Sequence, residues 1–321
     1  MDESQFLVRP FTDADFESYA EIRTAARPNY PVSAETLRHW DEPVEENTVH
    51  DRYVVKLRQT EQVVAVGGLG EDPAYRGKYW MFLFVRPEYQ RLGIGTKLFD
   101  LLLQDARRQN GECLRTSVQT GEAAGLAFSA RHGFVERARD WQSILDVRTA
   151  DTSHLPSLIR GLKDNGIEIT TLAHEGPADP QVVRRLYQLE LATGPDVPRM
   201  DSYVGWTLEQ FRRTELEGPL FLPESWFIAK VGDEYVADSW AQREAADSKL
   251  LQQDFTCTRK EYRRRGLART LKISLIDYAK RHGFERIRTN NNSLNAPMWQ
   301  LNEQLGFRRF STTLQLEKIL D

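Results

Sequence analysis

Cysteine is nearly missing from this chain: Cys113 and Cys257 are the two in 321 residues. They fall one in each half and form no CxxC pair, so neither a disulfide framework nor a thiolate metal site is expected. The histidines (His39, His50, His132, His154, His174 and His282) show no HExxH spacing, and no metal is expected. No stretch approaches 18 apolar residues, and the opening MDESQFLVRP lacks a basic start followed by an apolar run. The expectation is a soluble, cytoplasmic protein with no membrane contact. An excess of one charge is missing too. With 43 basic and 47 acidic side chains the net charge is -4, which argues against a general nucleic-acid or anionic-membrane binder. Standard phosphate motifs are also absent: neither half has GxxxxGK[ST], and Gly93-Ile94-Gly95 lacks the third glycine of a Rossmann fingerprint.

What is present is a repeat. Glu88-Tyr89-Gln90-Arg91-Leu92-Gly93-Ile94-Gly95 returns 173 residues on (88 to 261) as Glu261-Tyr262-Arg263-Arg264-Arg265-Gly266-Leu267-Ala268. Gly133-Phe134 returns at Gly306-Phe307 with the same offset (133 to 306). A spacing kept over that length means a duplicated domain. The chain length fits two domains of roughly 150 residues, and ordinary hydrophobic and aromatic content makes both halves globular. The expected boundaries are 1–148 and 166–321, with 149–165 as a linker.

In the first half, Phe6 to Val8 reads as a strand and Thr12 as the N-cap of a helix reaching about Ala26. Arg52 to Leu57 and Gln62 to Gly68 read as paired strands, and the nearly all-apolar Tyr79 to Val85 as a buried central one. Leu98, Phe99, Leu101, Leu102 and Leu103 mark an amphipathic helix from Thr96 to Ala106. A strand at 114–118, a helix at 122–131, and strands around Phe134 and from Ser143 to Val147 follow. The second half repeats that order. It has a strand at 166–172, helices at 180–191 and 208–214, strands at 226–231, 235–241 and one ending at Thr258. A helix at 267–282, a strand at 287–289, a helix at 296–305 and a strand at 310–316 follow. Within the linker, 154–163 has helical character. Thr193 to Tyr203 reads as a loop and a candidate lid or substrate wall. The expected fold class is α/β (α+β): a mixed central sheet flanked by helices, built twice.

A strand ending at Val85, a turn, and a helix opening near Gly93 leave backbone N–H groups without intrahelical partners. The helix macrodipole adds about half a positive charge there. Gly93 and Gly95, or Gly266 and Ala268, keep side chains out of the way, so an anion can rest on the amides. Lys97, Arg264 and Arg269 would add charge-assisted contacts. A structural turn explains one such phrase; two with equal downstream spacing point to a ligand.

This pattern, [Gln/Arg]-x-x-Gly-x-[Gly/Ala] between a buried strand and an amphipathic helix and followed by Gly-Phe, resembles the GNAT superfamily of acetyl-CoA-dependent N-acyltransferases. The opening Val8-Arg9-Pro10-Phe11-Thr12-Asp13-Ala14-Asp15 is similar to the family's first strand and helix start. The stretch from Thr289 through Asn290, Asn291, Asn292, Asn295 and Met298 to Phe307 is similar to the Asn-rich motif of many two-domain members. The resemblance spans nearly the whole chain as a tandem of GNAT-like domains. It implies a V-shaped opening in each sheet, with acetyl-CoA as co-substrate and its pantetheine arm in the gap. Phe84 and Val85, and Cys257 and Thr258, would bond pantetheine through their main chains. Gln90, Arg91, Leu92, Gly93, Ile94, Gly95 and Thr96 would cradle a pyrophosphate, as would Arg263, Arg264, Arg265, Gly266, Leu267, Ala268 and Arg269 in the second copy. Asn295 and Asn302 would contact the coenzyme. The acceptor implied is an amine of a small molecule or peptide; no oligomeric state is implied.

The chain departs from the family at the acid and the base. A Tyr commonly stands four residues before the Gly of Gly-Phe; here the positions are Ser129 and Asn302. Ser129 is a candidate acid, though a poor one, and otherwise reads as a helix-surface residue. A thiol of pKa about 8.5 is a tolerable leaving group without one. Asp254, on the loop strand of the second copy, is the candidate general base, or else a solvated strand-edge carboxylate. The first copy's strand has no carboxylate, and Glu71 and Asp72 read as loop residues. The first copy also reads Thr120-Gly121-Glu122-Ala123-Ala124 where the second is rich in asparagine, so the C-terminal copy is the expected active site. Trp206, Trp226, Trp240 and Tyr203 are either an aromatic acceptor pocket or core packing. The rival reading is a catalytically degenerate CoA-binding or scaffold protein; a third, an RNA-modifying acetyltransferase, is disfavoured by the charge.

Overall fold

Met1–Arg137 together with Leu314–Asp321 form one unit, and Ala138–Thr313 forms the other. The computed structural model describes residues 2, 4–28, 30–41, 50–72, 75–244 and 247–320.

Unit 1 runs β1 (Phe6–Pro10), α1 (Phe16–Ala26), α2 (Ala34–Asp41), β2 (His50–Leu57), β3 (Val63–Glu71), β4 (Lys78–Val85), α3 (Ile94–Arg108), β5 (Cys113–Gln119), α4 (Ala123–Arg131) and the start of β6 (Val135–Asp146). Strands β1 to β4 form an antiparallel meander, and β5 joins β4 in parallel. Alternation along the strands sends their side chains to opposite faces. Val54, Val66 and Phe84 pack with Phe16, Tyr19 and Ile22 of α1. Val55, Ala65 and Val85 pack with Ile94 and Leu98 of α3. The turn into α1 is held by Asp15, which accepts from Thr12 N–H at 2.8 Å and pairs with Arg9 at 2.7 Å.

Unit 2 completes β6 and continues through α5 (Leu155–Asp164), β7 (Glu168–Thr171), α6 (Leu172–Glu175), α7 (Pro180–Thr193), α8 (Leu208–Phe211), β8 (Phe227–Val231), β9 (Glu234–Glu244) and β10 (Asp247–Thr258). The chain then forms α9 (Leu267–Arg281), β11 (Arg286–Asn292), α10 (Ala296–Gln304) and the first half of β12 (Arg308–Ile319). Its sheet repeats the plan of the first. Strands β7 to β10 are antiparallel, β11 joins β10 in parallel, and β6 pairs antiparallel with β11.

Several expectations need adjusting. Helix α2 has no counterpart in the sequence reading. The helix expected at 208–214 ends at Phe211 and passes into a π-helical turn, Arg212–Leu216. The strands expected around Phe134 and at Ser143 are one strand, β6. Glu71, read as a loop residue, closes β3. The stretch 149–165, expected as a linker with helical character at 154–163, does hold that helix as α5, but Leu162 enters the core of unit 2. The last eight residues group with unit 1, where Arg115 Nε and Nη2 donate to Glu317 Oε2, both at 2.9 Å. Both partners are buried, at 3% and 5% exposure, so this ion pair is part of the interior of unit 1.

Candidate functional site

Both sheets split at the same place. In unit 1 the parallel pairing of β4 with β5 stops at Trp80 and Arg115, although β4 runs on to Val85 and β5 to Gln119. In unit 2 the pairing of β10 with β11 stops at Gln253 and Thr289, and the strands continue to Thr258 and Asn292. Each split opens beside the repeated loop.

The two loops have one backbone. Arg91 and Gly93 have φ of 64° and 77°, Arg264 and Gly266 of 62° and 79°. Glycine suits the second left-handed position because it has no Cβ to clash. Gly93 O first accepts from Lys97 N–H at 3.1 Å and Gly266 O from Thr270 N–H at 2.9 Å, so the preceding helical amides have no intrahelical acceptor. Ile94 and Leu267 are buried and anchor the helix starts. A Cβ built on Gly266 would meet nothing within 4 Å, so the space above the second loop is open to an anion. In the first, a Cβ on Gly95 would come within 3.4 Å of Phe128.

Side chains in the loops divide their work. Gln90 Nε2 donates back to Val85 O at 3.2 Å, and Arg263 Nε to Thr258 O at 3.0 Å; both pin the turn to the strand five residues earlier. Arg263 and Lys260 also pair with Asp196, from the loop after α7. Arg265 donates to Glu261 O and lies over Tyr262. Arg264 and Arg269 stay exposed beside the amides.

In unit 1 the split and the loop line one cavity of about 790 Å³, within the usual range for cofactor sites. Phe84, Val85, Gln90, Arg91, Gly93, Gly95 and Thr96 all line it. Ser129 also faces it and is 5% exposed, which corrects its reading as a helix-surface residue: α4 turns it inward against the cleft.

In unit 2 the split is flanked by carboxylates. A β-bulge between Gln253 and Phe255 places Asp254 at the point where β10 leaves β11. Asp254 is exposed at this strand edge, and the protein crowded around its carboxyl raises its pKa, to about 7. Gln242 Nε2 donates to it at 2.5 Å. Glu215, in the π turn, is pushed to about 8 by burial and then by the charges of Asp254, Glu190 and Asp238. Buried Asp238 rises to about 7 although Trp226 Nε1 and the Cys257 thiol donate to it, at 3.0 and 3.1 Å. Below the split, Lys272 of α9 is 2% exposed and donates to Gln253 Oε1 at 2.7 Å; burial pulls its pKa down to about 7.

Asn302 Nδ2 donates to Asn291 Oδ1 at 2.6 Å, while Asn302 Oδ1 and Thr258 Oγ1 are buried without a protein partner. Both are acceptors at the expected coenzyme positions. Asn295 Oδ1 caps α10 by accepting from Met298 N–H at 3.4 Å. Of the aromatic residues, Trp226 stacks on Trp240 at 4.6 Å within a core cluster, Tyr203 packs against Gly194, and Trp206 is at the surface. Cys113 and Cys257 are buried free thiols. Among the described residues no His, Cys, Asp and Glu are grouped to hold a metal, and no helix is long and apolar enough to cross a membrane. Glu190, Glu215, Asp238, Lys272 and Arg27 belong to no sequence motif that marks them as site residues. Their only common signal is position on elements that flank the split.

A family model described as "Acetyltransferase (GNAT) family" matches the chain twice, over residues 17–134 and 195–307. Among solved structures, the chain is similar to a tandem GNAT protein from the clavulanic acid biosynthesis pathway, with a TM-score of 0.75 and 18% identity, covering 98% of both chains. It is also similar to a GCN5-related N-acetyltransferase from Sphaerobacter thermophilus, with a TM-score of 0.69 and 17% identity over 98% of this chain and 95% of that one. No curated protein sequence matches it.

Proposed function

Because this chain belongs to the GNAT acetyltransferase family, we propose that it moves an acetyl group from acetyl-CoA to an amine of a small molecule or peptide, with the C-terminal unit carrying the transfer. The observation that supports this assignment most is the position of Asp254, an exposed carboxylate at the bulge where β10 departs from β11, with its pKa raised toward neutrality. An alkylammonium of pKa about 10.4 must lose its proton before it can attack, and a base tuned near working pH does this best. Strand β4 of unit 1 has no carboxylate at all.

When bound, acetyl-CoA supplies the activated acyl carbon. The exposed amides from Arg264 to Ala268, with Arg264 and Arg269, would hold its diphosphate. Asp254 would accept the amine proton directly or through water, and main-chain N–H groups near Cys257 and Thr258 would steady the oxygen that gains charge. Asn302 stands where an acid is common and cannot give a proton, so the thiol leaves as thiolate.

Release of CoA thiol, followed with a panel of amines, tests the reading together with Asp254→Asn. Transfer by the variant at the wild-type rate and pH profile would rule out this base. The rival, a coenzyme-binding scaffold, draws on the same Asn302. It predicts no CoA release with any acceptor.

A further inference from the structure

Beside Asp254 the sheet of unit 2 carries a row of polar side chains that the proposed chemistry leaves unused. Gln242 of β9, Gln252 of β10 and Arg288 of β11 are lateral partners across three neighbouring strands. Leu251 and Gln253, on either side of Gln252, turn toward α9: the first enters the core there and the second accepts from Lys272. Alternation therefore puts the row on the opposite face, where Gln242 Nε2 meets Asp254 Oδ2 at 2.5 Å. Asp254 is the extra residue of the bulge and has no cross-strand partner of its own. Its side chain is exposed, so its orientation depends on the neighbours that bond it.

Arg288 fixes the row. It is 5% exposed, donates from Nε to Gln252 Oε1 at 2.8 Å and pairs through Nη2 with half-buried Glu244. A guanidinium has donors only, so the Gln252 amide must turn its oxygen to Arg288 and its NH2 group away. That group has Gln253 O at 3.5 Å and, like Gln242, favours the ionised Asp254 carboxyl. A flipped Gln252 would set its amide against Arg288 and its oxygen toward the carboxylate. The charged groups acting with Asp254 are Arg288 from β11, which favours its ionised form, Glu244 from β9, which opposes it, and Glu215 from the π turn. A buried ion pair adds little stability over apolar side chains of the same size, so stability alone is a weak reason for Arg288 and Glu244. We propose that Arg288 is a positioning residue for the general base: by locking the Gln252 amide it makes Gln252 and Gln242 a two-donor cradle that holds the Asp254 carboxylate in one orientation. The proposal rests on the reading that Asp254 takes the amine proton.

The test uses the full chain with isotope-labelled aspartate carboxyls, titrated by NMR without ligand; the Asp254 signal is the one missing from Asp254→Asn. Gln252→Met keeps the volume and removes the amide. It should raise the Asp254 midpoint above about 7 by about one pH unit, the scale of one hydrogen bond to a charged group. Arg288→Met combined with Glu244→Met removes the pair without leaving a buried charge, frees Gln252 and should also raise it. Glu244→Gln leaves Arg288 uncompensated and should lower it. Loss of the fold would carry the midpoint down to about 3.9, so a rise cannot come from unfolding. Kinetics then use acetyl-CoA and the amine of the panel that releases most CoA thiol. In Gln252→Met the rising limb of kcat/KM should move up with the midpoint, lowering the rate at pH 7 about 5-fold while calorimetry shows acetyl-CoA affinity unchanged. A midpoint that stays put in both Gln252→Met and the double variant overturns the positioning role, whatever the activity. A midpoint that moves while the pH profile does not, or no CoA release with any amine, removes Asp254 from the reaction and takes the proposed function with it.

Discussion

Replacing Lys272 by Met should stabilise unit 2 at neutral pH. The amine is 2% exposed, has Gln253 Oε1 as its hydrogen-bond acceptor, and carries a pKa near 7 against 10.5 in an exposed chain. Between those values the unfolded chain binds a proton that the folded chain does not, so stability rises with pH through this window. At 1.36 kcal/mol per pH unit, the burden at pH 7 and below is on the order of 4–5 kcal/mol. Met removes it and keeps the volume, but leaves Gln253 Oε1 without its donor, at a cost of about 1–3 kcal/mol. The net gain expected at pH 6 to 7 is about 2–3 kcal/mol. The repeat supports the swap, because the matching position in unit 1 is Phe99 (272 minus 173), also buried. Urea unfolding followed by tryptophan fluorescence at pH 6, 7, 8.5 and 10 measures it. The advantage of Lys272→Met should shrink as pH rises and reverse near pH 10, where only the lost hydrogen bond remains. A variant less stable than wild type at pH 7, or an offset that ignores pH, would refute the reasoning.

Asp254→Asn should lower kcat/KM by about 100- to 10,000-fold, the range for a lost general base. In wild type, kcat/KM should climb as pH rises through about 7, the pKa of Asp254, and a flat profile from pH 6 to 8 would contradict the assignment. Gly266→Glu puts a side chain at φ 79° and a negative charge over the amides, so calorimetry should show acetyl-CoA binding lost at that loop. Glu317→Ala removes the buried carboxylate that pairs with Arg115 and should destabilise unit 1 by about 3–5 kcal/mol, read as faster hydrogen exchange in β5.

The loops were legible because the repeated phrase encodes their backbone directly: Gly93 and Gly266 occupy the left-handed positions that glycine favours. The strands on either side were legible from their apolar runs. The split between β10 and β11 came only with the family resemblance, since no residue pattern says where parallel pairing ends. Asp254 was found because it lies on the loop strand, but Glu215 acts on it from a π turn, and Asp238 lies on the neighbouring strand opposite Cys257. Arg27 and Glu122 meet across 95 residues, a distance at which single-sequence patterns carry no signal. Alternation identified the last strand without naming its partner, because period-2 patterning sets a face and not a neighbour.

Unit 1 is finished by Leu314–Asp321, and those residues leave the ribosome only after the whole of unit 2. At ordinary synthesis rates that interval is roughly ten to thirty seconds. Throughout it, β5 lacks the neighbour that buries Arg115, so the first half made is the last to close.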